Sequence, residues 1–301
     1  MLRSIILSVI VSSISTVVYS LPTVTEQSAL CAIVAATDVA SQTSSGWACN
    51  GDGTVTTNPC TSGSKWDGVL TCDSNDSITQ IALHSRTISG TIPSEIGDLT
   101  NLRSLYMHSN SFSGTIPTTV GNLQSLAIMF LNNNELNGTI PTEIGLITNL
   151  YQLYMYSNKL SGPIPSELGT ATKLYELDLH ANSLGFALPT ELGTLTNLFK
   201  LDISDNELTS TLPSEFGDFA ALGYFYMNIN SMVGSIPSEI TKMTSLNTLY
   251  IDRNLFTGTI PTGLYEMSSL FYVHLKEGNM FTGYIPDVNF IANSQLHYGA
   301  D

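Results

Sequence analysis

The stretch Leu102-Arg103-Ser104-Leu105-Tyr106-Met107-His108-Ser109-Asn110-Ser111-Phe112-Ser113-Gly114-Thr115-Ile116-Pro117 holds one full frame of the chain's organisation. Leu105 and Met107 lie two apart, so on an extended backbone they point to one face, and Tyr106 between them points to the other. Asn110 follows at a fixed offset. An amide turned inward there can satisfy backbone groups of the turn in its own coil and the next. Gly114 permits a close backbone turn, and Pro117 ends ladder pairing on that side.

The frame repeats along the chain. Pro93, Pro117, Pro141, Pro165, Pro189, Pro213, Pro237 and Pro261 are spaced by 24 residues, and Pro286 follows after 25. Leu174, Leu177, Leu179, Asn182 and Leu184 restate it, and the asparagine recurs at Asn134, Asn158, Asn182, Asn206, Asn230, Asn254 and Asn279. Each coil is too small to bury its own leucines, so stacking has to create the core.

The pattern L-x-x-L-x-L-x-x-N-x-L-x-G-x-I-P, together with Trp66-Asp67-Gly68-Val69-Leu70-Thr71-Cys72 upstream, resembles the plant-type (extracellular) leucine-rich repeats. That family includes receptor-like protein ectodomains and polygalacturonase-inhibiting proteins. The resemblance implies a curved right-handed superhelix with a parallel β-sheet on its concave face. Short helical or 3-10 segments would lie on the convex face, and a disulfide-stapled cap at the N-terminus. The expected division is a signal peptide at 1–20, a cap at 21–76, nine repeats over 77–290 and a tail at 291–301. Within the cap a helix is expected from Glu26 to Ala40, with Leu30, Ile33 and Val34 on one face. Some positions depart from the pattern. Arg86 stands where the first ladder asparagine belongs, Gly185-Phe186-Ala187 loses a glycine, Ser210 replaces the next, and no cysteine pair follows the last repeat.

The remaining composition bounds the function. Arg3, the apolar run Ile5 to Val18, and Val18-Tyr19-Ser20 form the layout of a secretory signal peptide. A secreted, extracellular protein follows, with the cell wall or matrix as settings and no membrane insertion after cleavage. The net charge is −15, or −16 once Arg3 leaves with the leader, so nucleic acid and anionic lipid are poor partners. Cys31, Cys49, Cys60 and Cys72 cluster in one segment, which reads as two disulfides stapling one subdomain. Three pairings are possible, and Cys31–Cys49 with Cys60–Cys72 is favoured because sequential loops need no threading. Without any C-x-x-C pair the zinc alternative is rejected. Two sequons, at Asn75 and Asn137, predict N-linked glycan.

Outward positions of the predicted strands form columns about 4.8 Å apart per rung. The central column runs Ala82, Tyr106, Phe130, Tyr154, Asp178, Asp202, Tyr226, Tyr250, His274, and beside it lie His84, His108, Asn132, Tyr156, His180, Ser204, Asn228, Asp252 and Lys276. The column on the other side runs from Gln80 through Glu176 and Lys200 to Tyr272. Seven of the thirteen tyrosines and four of the five histidines fall in these three columns, a concentration that marks a candidate binding face. The ligand-binding candidates are Tyr106, Phe130, Tyr154, Tyr156, Asp178, His180, Asp202, Tyr226 and Tyr250. A ligand's basic group is expected over the two aspartates and its apolar groups over the tyrosines. The competing account is a ladder of rings that stabilises the sheet, with Lys200 compensating the aspartates.

Catalysis and metal binding are weakly supported. His180, Asp202 and Ser204 mix base, acid and hydroxyl, but an open ladder offers no oxyanion site. His84 and His108 lack a third metal ligand nearby, so no metal, catalytic residue or cofactor is expected. The threonines Thr91, Thr115, Thr139, Thr211 and Thr259 hint at an ice-binding row, which Pro163, Ala187, Ser235 and Tyr284 interrupt. The expected function is recognition of an extracellular peptide or protein carrying basic groups. The alternatives are inhibition of a secreted glycan hydrolase and a structural role bound to polysaccharide.

Overall fold

The computed structural model describes residues 22–42, 48–56, 58–60 and 69–283. The predicted leader, the Trp66-Asp67-Gly68 part of the cap element, the turn at Pro286 and the tail lie outside these residues.

The cap begins with a helix, Val24–Ala36, that starts and stops earlier than expected. Thr23 accepts a hydrogen bond from the Glu26 N–H and the Glu26 carboxylate accepts one from the Thr23 N–H, a reciprocal arrangement that fixes the start. At the other end Thr37 turns extended, donates its hydroxyl to the Ile33 carbonyl at 2.6 Å, and bridges to Gly90. A separate short turn, Val39–Gln42, follows. Ala29, Leu30 and Ile33 are buried, whereas Val34 is only half-buried. Glu26 is itself buried, and its second oxygen accepts from the Ile78 N–H at 3.0 Å, which ties the helix to the first coil. Disulfides join Cys31 to Cys49 and Cys60 to Cys72.

Strand Val69–Cys72 pairs antiparallel with Ile78–Ala82, and from there eight further strands add in parallel up to Tyr272–His274. The sheet therefore has ten strands, each register stepping by one coil. Alternation decides the faces: Leu105, Met107, Leu153, Met155, Leu177 and Leu179 are buried, while the residues between them face outward. After each proline the chain makes one turn of 3-10 helix, eight in all among the described residues, from Ser94–Asp98 to Thr262–Glu266. The recurring acids from Glu95 to Glu239 sit in the first turns of these helices, where exposed N–H groups favour negative charge. No helix among the described residues is long and apolar enough to cross a membrane.

The ladder asparagines bind backward, to their own coil and the preceding one, instead of forward as expected. The Asn158 amide donates to the carbonyls of Met155 in its own coil, at 3.0 Å, and Leu131 in the coil before, at 3.1 Å. Its oxygen accepts from the Leu136 N–H at 3.0 Å. Asn110 does the same for the first coil, accepting from the Arg86 N–H, so Arg86 itself needs no amide.

A second sheet, not anticipated from the sequence, runs along the flank. Six strands from Ser89–Thr91 to Glu207–Leu208 form one part, and three from Val233–Gly234 to Met280–Phe281 form another. Its packing explains the glycines in the G-T-I-P turns. Gly138 and Gly162 adopt φ of +73° and +78°, and a methyl built on either would fall 2.9 or 2.8 Å from the γ-methyl of Thr115 or Thr139 in the preceding coil. Where the column departs from glycine, the upstream threonine departs too. Phe186 (φ +67°) follows Pro163, and Ser210 (φ +81°) follows Ala187. The irregular fifth and sixth repeats and the breaks in the threonine row at Pro163 and Ala187 are thus one coupled feature, and its product is a Phe186 ring that is 66% exposed.

Candidate recognition face

The ten-stranded sheet brings the predicted central column together rung by rung: Tyr106 pairs with Phe130, Phe130 with Tyr154, Tyr154 with Asp178, Asp178 with Asp202, Asp202 with Tyr226, and Tyr226 with Tyr250. The column divides into three zones of different chemistry.

The first zone is aromatic. Phe130 and Tyr154 stack with ring centres 4.3 Å apart, Tyr106 meets Phe130 edge to face at 5.3 Å, and His84 stacks on His108 at 4.8 Å. The two histidines lie parallel, and burial followed by the neighbouring His84 ring keeps His108 below the usual imidazole value. Burial, then the hydrogen bond to Glu176, raises the Tyr154 hydroxyl, which donates to the Glu176 carboxylate.

The middle zone is a network of charges. Asp178 is 2% exposed, with one oxygen 2.6 Å from His180 Nδ1 and the other accepting from Lys200 Nζ at 2.7 Å. Burial alone would raise its pKa, but the hydrogen bonds and charges of His180 and Lys200 outweigh that and hold it low. The bond to Asp178 raises His180, which also stacks on Tyr156 at 4.5 Å. Asp202 lies 3.8 Å from His180 and 3.9 Å from Lys200. Burial, then the charge of Asp178, raises it.

One expectation changes here. Asp178 does not point free of the fold towards a ligand. It is the buried counter-ion of Lys200 and His180, the compensation that the competing account anticipated. Nor do His180, Asp202 and Ser204 form a proton relay, because the Ser204 hydroxyl donates to Asp202 at 2.6 Å and not to the imidazole. Ligand atoms of Asp178, His180 and Asp202 lie within 4.8 Å of one another, close enough to gather round a small cation, and the Lys200 ammonium already serves that place.

The third zone is aromatic again. Tyr226 meets Tyr250 edge to face at 5.2 Å, and Tyr250 stacks on His274 at 4.1 Å. Sequence reading missed a further stack one position before the strands, where Tyr151, Tyr175 and Phe199 lie parallel at 5.0 Å steps. The same 24-residue register would have shown it, had the position flanking each strand been tabulated with those inside it.

The comparisons agree with this architecture. The leucine-rich repeat region family matches residues 82–207, and a leucine rich repeat matches residues 197–219. No curated protein matches the chain by sequence. Among solved structures, the leucine-rich-repeat ectodomain of the membrane receptor kinase GASSHO1/SCHENGEN3 from Arabidopsis thaliana, in complex with CASPARIAN STRIP INTEGRITY FACTOR 2, is 30% identical with a TM-score of 0.71. The alignment covers 74% of this chain and 27% of that one. The Arabidopsis receptor kinase HAESA, solved with the peptide hormone IDA and the co-receptor SERK1, is 27% identical with a TM-score of 0.56, covering 90% and 53%. This chain thus spans between about a quarter and a half of those ectodomains. A plant ice-binding protein, 22% identical with a TM-score of 0.58, aligns over 93% of this chain and 100% of its own, a likeness of fold. The chain is a leucine-rich-repeat solenoid, similar in its repeats to plant receptor-kinase ectodomains.

Proposed function

We propose that this chain is a secreted, non-enzymatic recognition protein that binds an extracellular peptide or protein on its concave face. The observation that carries the reading is the ladder itself: ring after ring in register on an outward face, interrupted by one charge network. Rigid aromatic side chains give broad contact area at low entropic cost. The two receptor ectodomains described above, solved with CASPARIAN STRIP INTEGRITY FACTOR 2 and with the peptide hormone IDA, support a peptide or protein over a polysaccharide. The two disulfides suit an oxidising compartment outside the cell. In this reading Tyr106, Phe130, Tyr154, Tyr156, Tyr226 and Tyr250 make the contacts. His180 and Asp202 set the charge between them, and Asp178 holds the network in place from beneath.

The test uses the immobilised chain and a peptide and protein fraction from extracellular fluid, with captured species quantified by mass spectrometry. A Phe130→Ala/Tyr154→Ala variant should lose its specific captures by about tenfold or more, since packed aromatic anchors carry most interface energy. An unchanged capture profile in that variant rules the concave face out as the binding surface.

A further inference from the structure

The acidic side chains at the centre of the concave face are already engaged. Asp178 holds His180 and Lys200, Asp202 accepts from Ser204, and Glu176 accepts from Tyr154. The carboxylate left over is Asp252, in the last coils. It lies in the same outward column as His180 and Ser204 and is 8% exposed, yet its Oδ1 is buried with no hydrogen-bond partner. An acceptor oxygen held out of water without a donor costs stability, and the one hydrogen bond to this carboxylate comes from its own backbone.

The charged neighbours do not resolve this. Arg253, next in the chain, gives its guanidinium to Glu277 at 3.0 and 3.1 Å. Lys276 and His274, from the following coil, form no ion pair with Asp252, and nor does any other described residue. Burial raises the Asp252 pKa, while the charge of His274, the hydrogen bond from the Asp252 backbone and the charge of Arg253 oppose it. Around this group stand rings. Tyr250, two residues before Asp252, ends the strand Thr248–Tyr250, and His274 lies one coil on, stacked against Tyr250. Ring faces beside an unpaired carboxylate suit a cation that can also donate hydrogen bonds.

We propose that Asp252 receives the cationic group of the ligand, a guanidinium or ammonium, with Tyr250 and His274 as its walls. This rests on the concave face being the recognition surface, and it moves the basic contact from the Asp178–Asp202 pair to the last coils.

The test uses N-acetyl-arginine amide as probe and N-acetyl-citrulline amide as its uncharged isostere. Histidine side-chain NMR signals report the location, because His274 lies at the proposed site and His180 at the central network. The arginine probe should shift His274 and leave His180 unmoved, the citrulline probe should shift neither, and Asp252→Asn should weaken the response about tenfold or more. Glu135→Gln, on the flank sheet, should leave it intact. Without any probe, Asp252→Asn should melt no lower than the parent, because the amide carries no unpaired charge. A response centred on His180, equal responses to the two probes, a response that survives Asp252→Asn, or a lowered melting temperature in that variant each overturns the assignment. Because the probe is a small molecule, a failed peptide capture with an intact His274 response sinks only the peptide reading. The converse sinks only Asp252.

Discussion

Replacing Asn158 with Leu asks how much one rung of the asparagine ladder contributes. The wild-type amide makes three well-formed bonds, to Leu131 and Met155 carbonyls and from the Leu136 N–H, at 3.0 to 3.1 Å, and a longer one to Tyr156 at 3.4 Å. Leucine leaves the Leu136 N–H without a partner in a turn between two coils, while the Leu131 carbonyl keeps the Asn134 amide at 3.0 Å. An unsatisfied buried group costs about 1–3 kcal/mol, and the leucine recovers part of this as apolar burial, so a net loss of about 1–2 kcal/mol is expected. For a chain of this size that corresponds to a drop of roughly 2–8 °C in melting temperature. The matched control is Asn149→Leu, whose amide reaches the Gln124 carbonyl on the exposed surface and should change little. Thermal melts by circular dichroism give the size of the effect, and hydrogen exchange should localise it to residues 131–136 and 155–158. Overlapping melts for Asn158→Leu and the parent, or loss of protection spread evenly over the chain, would refute the assignment of these amides as the joints between coils.

Three other outcomes follow from the same structure. Each disulfide closes a loop of 12 or 18 residues, so Cys60→Ser/Cys72→Ser should lower stability by about 3 kcal/mol in the chain-entropy account, and mass spectrometry of the secreted protein should find no free thiol. Asn75 and Asn137 are both exposed, and deglycosylation of protein made in a eukaryotic secretory host should shift its gel mobility; an unchanged position removes the glycan assignment. The folded-state pKa of His180 is raised above its unfolded value of about 6.5, so its contribution is complete below that pH and fades as pH rises through the folded value. The stability difference between the parent and His180→Gln should therefore shrink from pH 6 to pH 8, and a difference that is flat or growing contradicts the His180–Asp178 geometry.

Much of this molecule could be read in advance, because a repeat multiplies every weak signal. The strand at Leu105–Met107 would be uncertain alone, but nine similar frames fix the faces of the sheet and hence the aromatic column. Local backbone choices were harder to see. The start of the cap helix depends on the reciprocal Thr23–Glu26 bond, and a single helix boundary has no repeats to average over. The direction of the asparagine bonds is not encoded in spacing, since a fixed offset fits a neighbour on either side. The column of Asp178 is legible but its partners are not: outward register does not reveal that Lys200 and His180 close over it. The same gap hid Asp252, whose place in the column of His180 and Ser204 says nothing of the burial of its Oδ1.

The fit between each threonine and the glycine of the following coil has a consequence for how such an array can grow. Coils running from Thr91 to Gly162 are mutually compatible, so any of them could be duplicated or exchanged without a clash on the flank. The coil bearing Phe186 is not portable in that way. Set after Thr139 instead of Pro163, it would bring a β-carbon against a γ-methyl, so it needs an upstream coil that lacks the threonine. The repeats therefore have a syntax. Most positions accept any member of the series, while Pro163–Phe186 and Ala187–Ser210 behave as fixed phrases that shuffling would break, preserving coil order where composition alone would not.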